Sequence, residues 1–189
     1  MSLIAVALVV GGGAVVAAVL ARRRRRASPS ASEEPAPASE PGLVGFPVAI
    51  GDVISVGSEE AWLEHAWLLE ESGSAVAAVL FAGKVVVLAL PAPRSAVYWL
   101  SALESPAFAG EPPPSLDVEG EHLDRARRIP VSVRALGRAP DPPWESALLA
   151  EYRALGGGVL WMLARSARAL SWRGRRLEDS ELENWGRGS

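Results

Sequence analysis

The chain contains no cysteine, two histidines (His65 and His122) and a single lysine, Lys84. The first absence removes disulfides, thiolate metal sites and cysteine nucleophiles together, so the fold rests on its core alone. With two histidines and no His-x-x-x-His spacing, a zinc site would have to borrow carboxylates. Neither a Gly-x-Ser-x-Gly elbow nor a Gly-x-x-x-x-Gly-Lys-Ser/Thr phosphate loop occurs, and "GGG" at 156–158 reads as a glycine turn between strands. The adjacent carboxylate pairs Glu59-Glu60 and Glu70-Glu71 would point to opposite sides of a strand, as solubilising charges. No catalytic residue, cofactor or metal ligand is expected, and the chain reads as a non-enzyme.

The charge that is present is unevenly placed. Arg22, Arg23, Arg24, Arg25 and Arg26 form one run. From Ala27 to Gly120 there are 2 basic residues against 13 acidic ones, a net of −11. From Glu121 to Ser189 there are 12 basic against 9 acidic, a net of +3. The acidic stretch repels nucleic acid and anionic lipid. Arginine clusters at "RARR" (125–128) and "RGRR" (173–176) could hold phosphates beside Trp172, but each has acidic neighbours. Contact with an acidic protein surface, or with the domain's own acidic half, is the expected use, and no nucleic-acid partner is expected. Eighteen arginines to one lysine suggest a GC-rich bacterial genome.

Leu3 to Ala21 carries neither a charge nor a proline, and a helix of that length spans about 28 Å, close to a bilayer's hydrocarbon core. A cleavable signal would carry its positive charge before the apolar run; here the arginines follow it. The positive-inside rule then puts Arg22 to Arg26 in the cytoplasm and the N-terminus outside. The expected layout is an uncleaved membrane helix over 1–21, a basic stop and Pro/Ala/Ser/Glu linker over 22–42, and a cytoplasmic domain over 43–189. The expected location is the bacterial inner membrane, in a single pass. Gly13, Ala17 and Ala21 lie four apart and offer a small face for helix packing and homo-oligomerisation, although alanine and glycine are simply frequent here.

The segment 43–189 reads as strands broken by turns. "FPVAIGDVISVG" suggests a short strand pair around Gly51-Asp52. "AWLEHAWLLEE" (61–71) fits either a helix, with Trp62, Ala66 and Leu69 on one face, or a strand, with Leu63, His65, Trp67 and Leu69 on one face. "AVAAVLFA" and "VVVLAL" flank Gly83-Lys84 as a hairpin, and "AVYWLSAL" (96–103) resumes as strand. A proline-rich connection, "SPAFAGEPPPS", divides the domain. Beyond it come "LDVEGEHL" with a Glu-Gly turn, "RRIPVSVRAL", and a closing meander of "SALLAEYRA", "VLWMLARS" and "ALSWRG". "EDSELENW" (178–185) suggests one terminal helical turn or two, begun by acidic residues. Trp62, Trp67, Trp99, Trp161 and Trp172 lie in these strands and are expected in the core, with a tryptophan-lined ligand groove as the sharper alternative. The fold class is all-β, an antiparallel sandwich or barrel preceded by one membrane helix and a flexible linker.

Three stretches give the domain a family likeness: "IGDVISV", "AWLEHAWLLEE", and the closing "LLAEYRALGGGVLWMLARSARALSWRGRRLEDSELE". Over about residues 45–185 the chain resembles the bacterial domain of unknown function 4178. The Ala/Val-rich middle, and "WLEHAW" where that family has a Trp-Glu-Tyr type of strand, depart from it. The resemblance implies a β-rich fold of two similar halves, no established catalysis, and frequent company with membrane or polyamine-related proteins. Two readings of function follow: a membrane-anchored, non-enzymatic adaptor for a cytoplasmic or membrane protein partner, or a small-molecule sensor whose acidic half attracts a cationic, polyamine-like ligand. An enzyme of unrecognised type is the third.

Overall fold

The computed structural model describes residues 43–104 and 111–185. The expected membrane helix, Arg22 to Arg26, and the packing face of Gly13, Ala17 and Ala21 lie outside the described residues. Among those described, no helix is long and apolar enough to cross a membrane.

The domain opens with a hairpin of β1 (Val53–Val56) and β2 (Glu59–Trp62). A four-strand meander follows: β3 (His65–Glu71), β4 (Ser74–Ala82), β5 (Val85–Leu90) and β6 (Ala96–Leu103). A second hairpin joins β7 (Ser115–Val118) to the long β8 (Glu121–Leu136). With β9 (Ser146–Arg153), β10 (Gly158–Arg165) and β11 (Arg168–Leu177), β8 makes a second meander of four. A 3-10 turn at Asp179–Glu181 then leads to β12 (Glu183–Trp185), which returns to pair with β1.

The two meanders are joined at both edges. β6 pairs antiparallel with β11, from Val97 opposite Leu177 to Leu103 opposite Ser171. β3 pairs antiparallel with β8, from Ala66 opposite Leu136 to Glu70 opposite Ser132. Eight strands thereby close into an antiparallel barrel, so the barrel alternative holds over the sandwich. β1, β2 and β12 form a separate three-stranded sheet, and β7 extends the edge of β8.

Side-chain alternation sorts the core into an interior and two outer layers. Inside the barrel lie Trp67, Leu69, Val79, Leu88, Tyr98, Leu100, Val133, Leu149, Trp161, Leu163 and Trp172, drawn from all eight strands. The outer face of β3 to β6 carries Leu68, Leu80, Val87 and Val97, covered by Leu43, Phe46, Val48, Ile54 and Leu63. Both faces of this meander are buried, which is why β4 and β5 read as unbroken apolar runs rather than as alternating ones. The outer face of β9 and β10 carries Ala150, Tyr152, Leu160 and Met162, capped by Leu116, Val118 and Leu123 of the β7–β8 hairpin.

Several expectations are settled or corrected in detail. The Gly51-Asp52 pair precedes the first hairpin instead of forming it. Asp52 accepts the Ala49 N–H at 2.8 Å and Gly51 takes φ +92°, while the hairpin turns at Gly57-Ser58. Residues 61–71 are strand, interrupted after Trp62. Leu63 therefore packs in the outer layer, while Trp67 and Leu69 face the barrel interior. Trp62 is 61% exposed, on the edge strand of the small sheet, and is not a core residue. The terminal segment makes a single 3-10 turn and ends as a strand.

Candidate binding site at the barrel mouth

The two ends of the barrel are finished differently. At the end where β8 passes into β9, the loop over 137–145 covers the interior. The Trp67 indole donates to the Pro140 carbonyl at 2.9 Å, and Ala139 and Trp144 pack against the core. The opposite end, where β5 passes into β6 and β9 into β10, is polar. There a cavity of about 540 Å³ is lined by Arg94, Tyr98, Arg127, Glu151, Arg153 and Arg176, among others. Two smaller recesses adjoin it through shared residues. One of about 200 Å³ runs by Tyr98, Arg153 and Arg176, and one of about 210 Å³ by Arg94 and Arg127.

Strand register places each of these groups. Glu151 and Arg153 continue the inward row of Ala147 and Leu149 on β9, so the row that fills the barrel ends in two charges at the rim. Tyr98 is inward on β6, and its ring meets the Trp161 ring edge-on with centroids 5.4 Å apart. Arg176 follows Trp172 and Gly174 along β11. A side chain at position 174 would put Cβ 2.0 Å from the Trp99 carbonyl oxygen, so only glycine lets β6 and β11 approach closely enough to close the seam. Arg127 sits beyond the point where β8 leaves β3, after a bulge between Arg125 and Arg127. Arg94 comes from the loop between β5 and β6, which is tied down by the Ala92 N–H to the Gly45 carbonyl at 3.1 Å.

Glu151 is 4% exposed and accepts the Arg153 Nε–H at 2.7 Å. That bond, together with the carboxylate's charge, raises the Arg153 pKa, so this guanidinium is a fixed cation. Tyr98 is 3% exposed. Burial first, and the Glu151 charge second, raise its phenol above the ordinary value, while Arg153 and Arg176 pull the other way. The hydroxyl is therefore protonated at neutral pH and available as a donor. Trp161, opposite Glu151 on β10, is fully buried with its indole N–H lacking a hydrogen-bond partner. Four arginines thus line one opening over the buried Glu151 and Tyr98; Arg94, Arg153 and Arg176 are exposed and Arg127 is half-buried.

The remaining residues singled out in the sequence fall elsewhere. His65 stacks on Phe81 at the start of β3, with centroids 5.3 Å apart. His122, at the start of β8, bonds Asp117 at 2.8 Å on the surface. Because β3 and β8 run antiparallel, these two positions belong to opposite ends of the barrel. Among the described residues no group of three His, Asp or Glu side chains could hold a metal ion. The arginine clusters divide between inside and outside. Arg173 bonds Glu119 and Glu121, Arg128 pairs with Glu111 at 2.7 Å, and Arg175 pairs with Glu181 at 2.8 Å. Those contacts are with the domain's own carboxylates. Arg127 and Arg176, one from each cluster, turn to the mouth.

A second depression of about 590 Å³ lies on the outer wall, between Glu70 to Gly73 and the strand segments at Pro130, Leu148 and Ala164. Its lining is mostly small side chains, and its charged residues, Glu70, Glu71 and Arg165, are not buried, so it is a weaker candidate. Comparison with protein-family models, curated proteins and solved structures finds no match for this chain.

Proposed function

We propose that the protein is a membrane-anchored, non-enzymatic binding domain, a sensor whose ligand enters the barrel mouth. The observation that carries this reading is the contrast between a barrel packed throughout with apolar side chains and one end where buried polar groups face a cavity of about 540 Å³. That volume lies in the range of small-molecule sites. Burying the Glu151 carboxylate at that end costs desolvation that packing of the barrel does not require.

Around this domain the sequence supplies the setting. The apolar run and Arg22 to Arg26 support a single-pass anchor in a bacterial inner membrane with the domain cytoplasmic. The Pro/Ala/Ser/Glu composition of 27–42 supports a spacer between that anchor and the domain. The likeness to the bacterial domain of unknown function 4178 belongs to the same proposal.

A thermal-unfolding screen of the full-length protein in mild detergent tests the reading, using anionic, cationic and neutral metabolites. A compound that stabilises the wild type but not Ala126→Trp, a substitution that fills the mouth from an exposed position, is the expected outcome. Stabilisation by none of them counts against it. The adaptor reading is favoured by a different observation, the 61% exposed Trp62 on the edge strand β2. Crosslinking of native membranes followed by affinity purification would test it through a partner recovered with the wild type and lost with Trp62→Ser.

A further inference from the structure

We infer that the ligand of the mouth is a small polyanion, a molecule presenting at least two phosphate or carboxylate groups. This rests on the proposal that the mouth is a binding site and gives that site its chemistry.

The first argument is charge accounting. Elsewhere in the described second half Arg128 pairs with Glu111, Arg134 with Glu70, Arg173 with Glu119 and Glu121, and Arg175 with Glu181, while Arg125, Arg138, Arg165 and Arg168 make no ion pair but do not gather round one cavity. At the mouth only Arg153 is paired, with Glu151. Arg94, Arg127 and Arg176 have no ion pair within 4.0 Å among the described residues, although all three line one cavity. The four guanidinium groups and single carboxylate leave the rim with three uncompensated positive charges. Like charges gathered this way repel one another, and the arrangement is relieved by an anion of matching valence.

The second argument is geometric. Guanidinium groups present forked donors that match carboxylate and phosphate oxygens in pairs, and here they come from four separate elements around one opening. The Tyr98 hydroxyl adds a neutral donor on the same wall. The third argument is selectivity. The net −11 from Ala27 to Gly120, linker included, repels long polyanions such as nucleic acid, while a cavity of this size admits a small one. The cationic, polyamine-like ligand suggested by that acidic half would meet a rim where cations predominate.

The test is calorimetric titration of the full-length protein, in zwitterionic detergent at moderate salt, with inorganic pyrophosphate, citrate, acetate and spermidine. Pyrophosphate or citrate should bind, acetate much more weakly and spermidine not at all. Binding of pyrophosphate alone would assign the site to phosphates, and of citrate alone to carboxylates. The double variant Arg127→Gln/Arg176→Gln should lose at least about tenfold in affinity, as expected for removing two charge-assisted donors. Arg165→Gln/Arg168→Gln, the same change in charge at the distant β10–β11 turn, should leave affinity unchanged. Affinity unchanged in both double variants would assign the anions elsewhere, such as to Arg22 to Arg26, which every variant retains, and would overturn the inference. Glu151→Gln, which removes the carboxylate from the mouth, should tighten binding severalfold, an increase that a merely structural role would not produce. Equal losses in both double variants would overturn the inference. Spermidine binding weakened by the mouth double variant would overturn the anion and keep the site. Binding of no probe by a wild type that responds to another ligand in the unfolding screen would again overturn only the anion, whereas no response in either experiment would remove both.

Discussion

The two four-strand meanders share one barrel and differ in what they do with their surfaces. β3 to β6 are buried on both faces, by the barrel interior on one side and by the 43–63 segment on the other. β8 to β11 share the same interior, but their outer face is covered only in part by the β7–β8 hairpin, and their ends carry the charge. The first meander and its loop give the mouth Tyr98 and Arg94; the second gives it Arg127, Glu151, Arg153 and Arg176. One half stabilises the barrel while the other equips it. The division is affordable in a cysteine-free domain because a closed barrel leaves no open edge along most of its strands, so one rim can be polar without loss of pairing.

The comparison can be broken most severely from inside. Trp161→Ala removes a fully buried ring shared by both halves, and should cost about 3–5 kcal/mol of stability in urea unfolding. Next come the outer faces. Leu80→Ala, beneath the amino-terminal layer, should cost about 2–5 kcal/mol, whereas Leu148→Ala on the open wall of the second half should cost less than about 1 kcal/mol. Similar losses at the two positions would erase the claimed asymmetry. Gly174→Ala should cost about 1–3 kcal/mol by forcing β6 from β11, and should also weaken ligand binding because Arg176 lies two residues on.

The smallest effect concerns the carboxyl-terminal clasp. Arg175 binds both Glu181 carboxylate oxygens at 2.8 Å, and the Glu178 N–H adds a third bond, which together hold the Glu181 pKa down to about 2 from 4.5. A depressed carboxylate pKa stabilises the folded state above the unfolded value, and that contribution is lost as pH falls from about 4.5 through about 2. The tail should therefore loosen in acid before the barrel does. Amide exchange at residues 178–185 would follow it, and Glu181→Gln should abolish the pH dependence there.

Local features were legible in the sequence, and closure was not. Gly83-Lys84, Glu119-Gly120 and the glycines after Leu155 mark hairpins because turns demand particular backbone conformations. Pairing of β3 with β8 and of β6 with β11 joins residues far apart in sequence and leaves no local trace. The ambiguity at 61–71 came from burial on both faces, which hides the two-residue period. The site was legible only as residue types. "RARR" and "RGRR" each contribute one arginine to the mouth, and closure decides which. A finer signal was present in "SALLAEYR": the row Ala147, Leu149, Glu151, Arg153 carries an apolar strand face into a charge pair, which marks the end of a barrel interior.

The most direct test of the central claim is hydrogen–deuterium exchange on the full-length protein with and without inorganic pyrophosphate. The account predicts added protection at 91–98, 125–128, 151–158 and 174–177, with β1, β2 and the outer wall at Leu148 unchanged. Protection centred on the β1–β2 hairpin or on that outer wall, with the mouth unaffected, would contradict it.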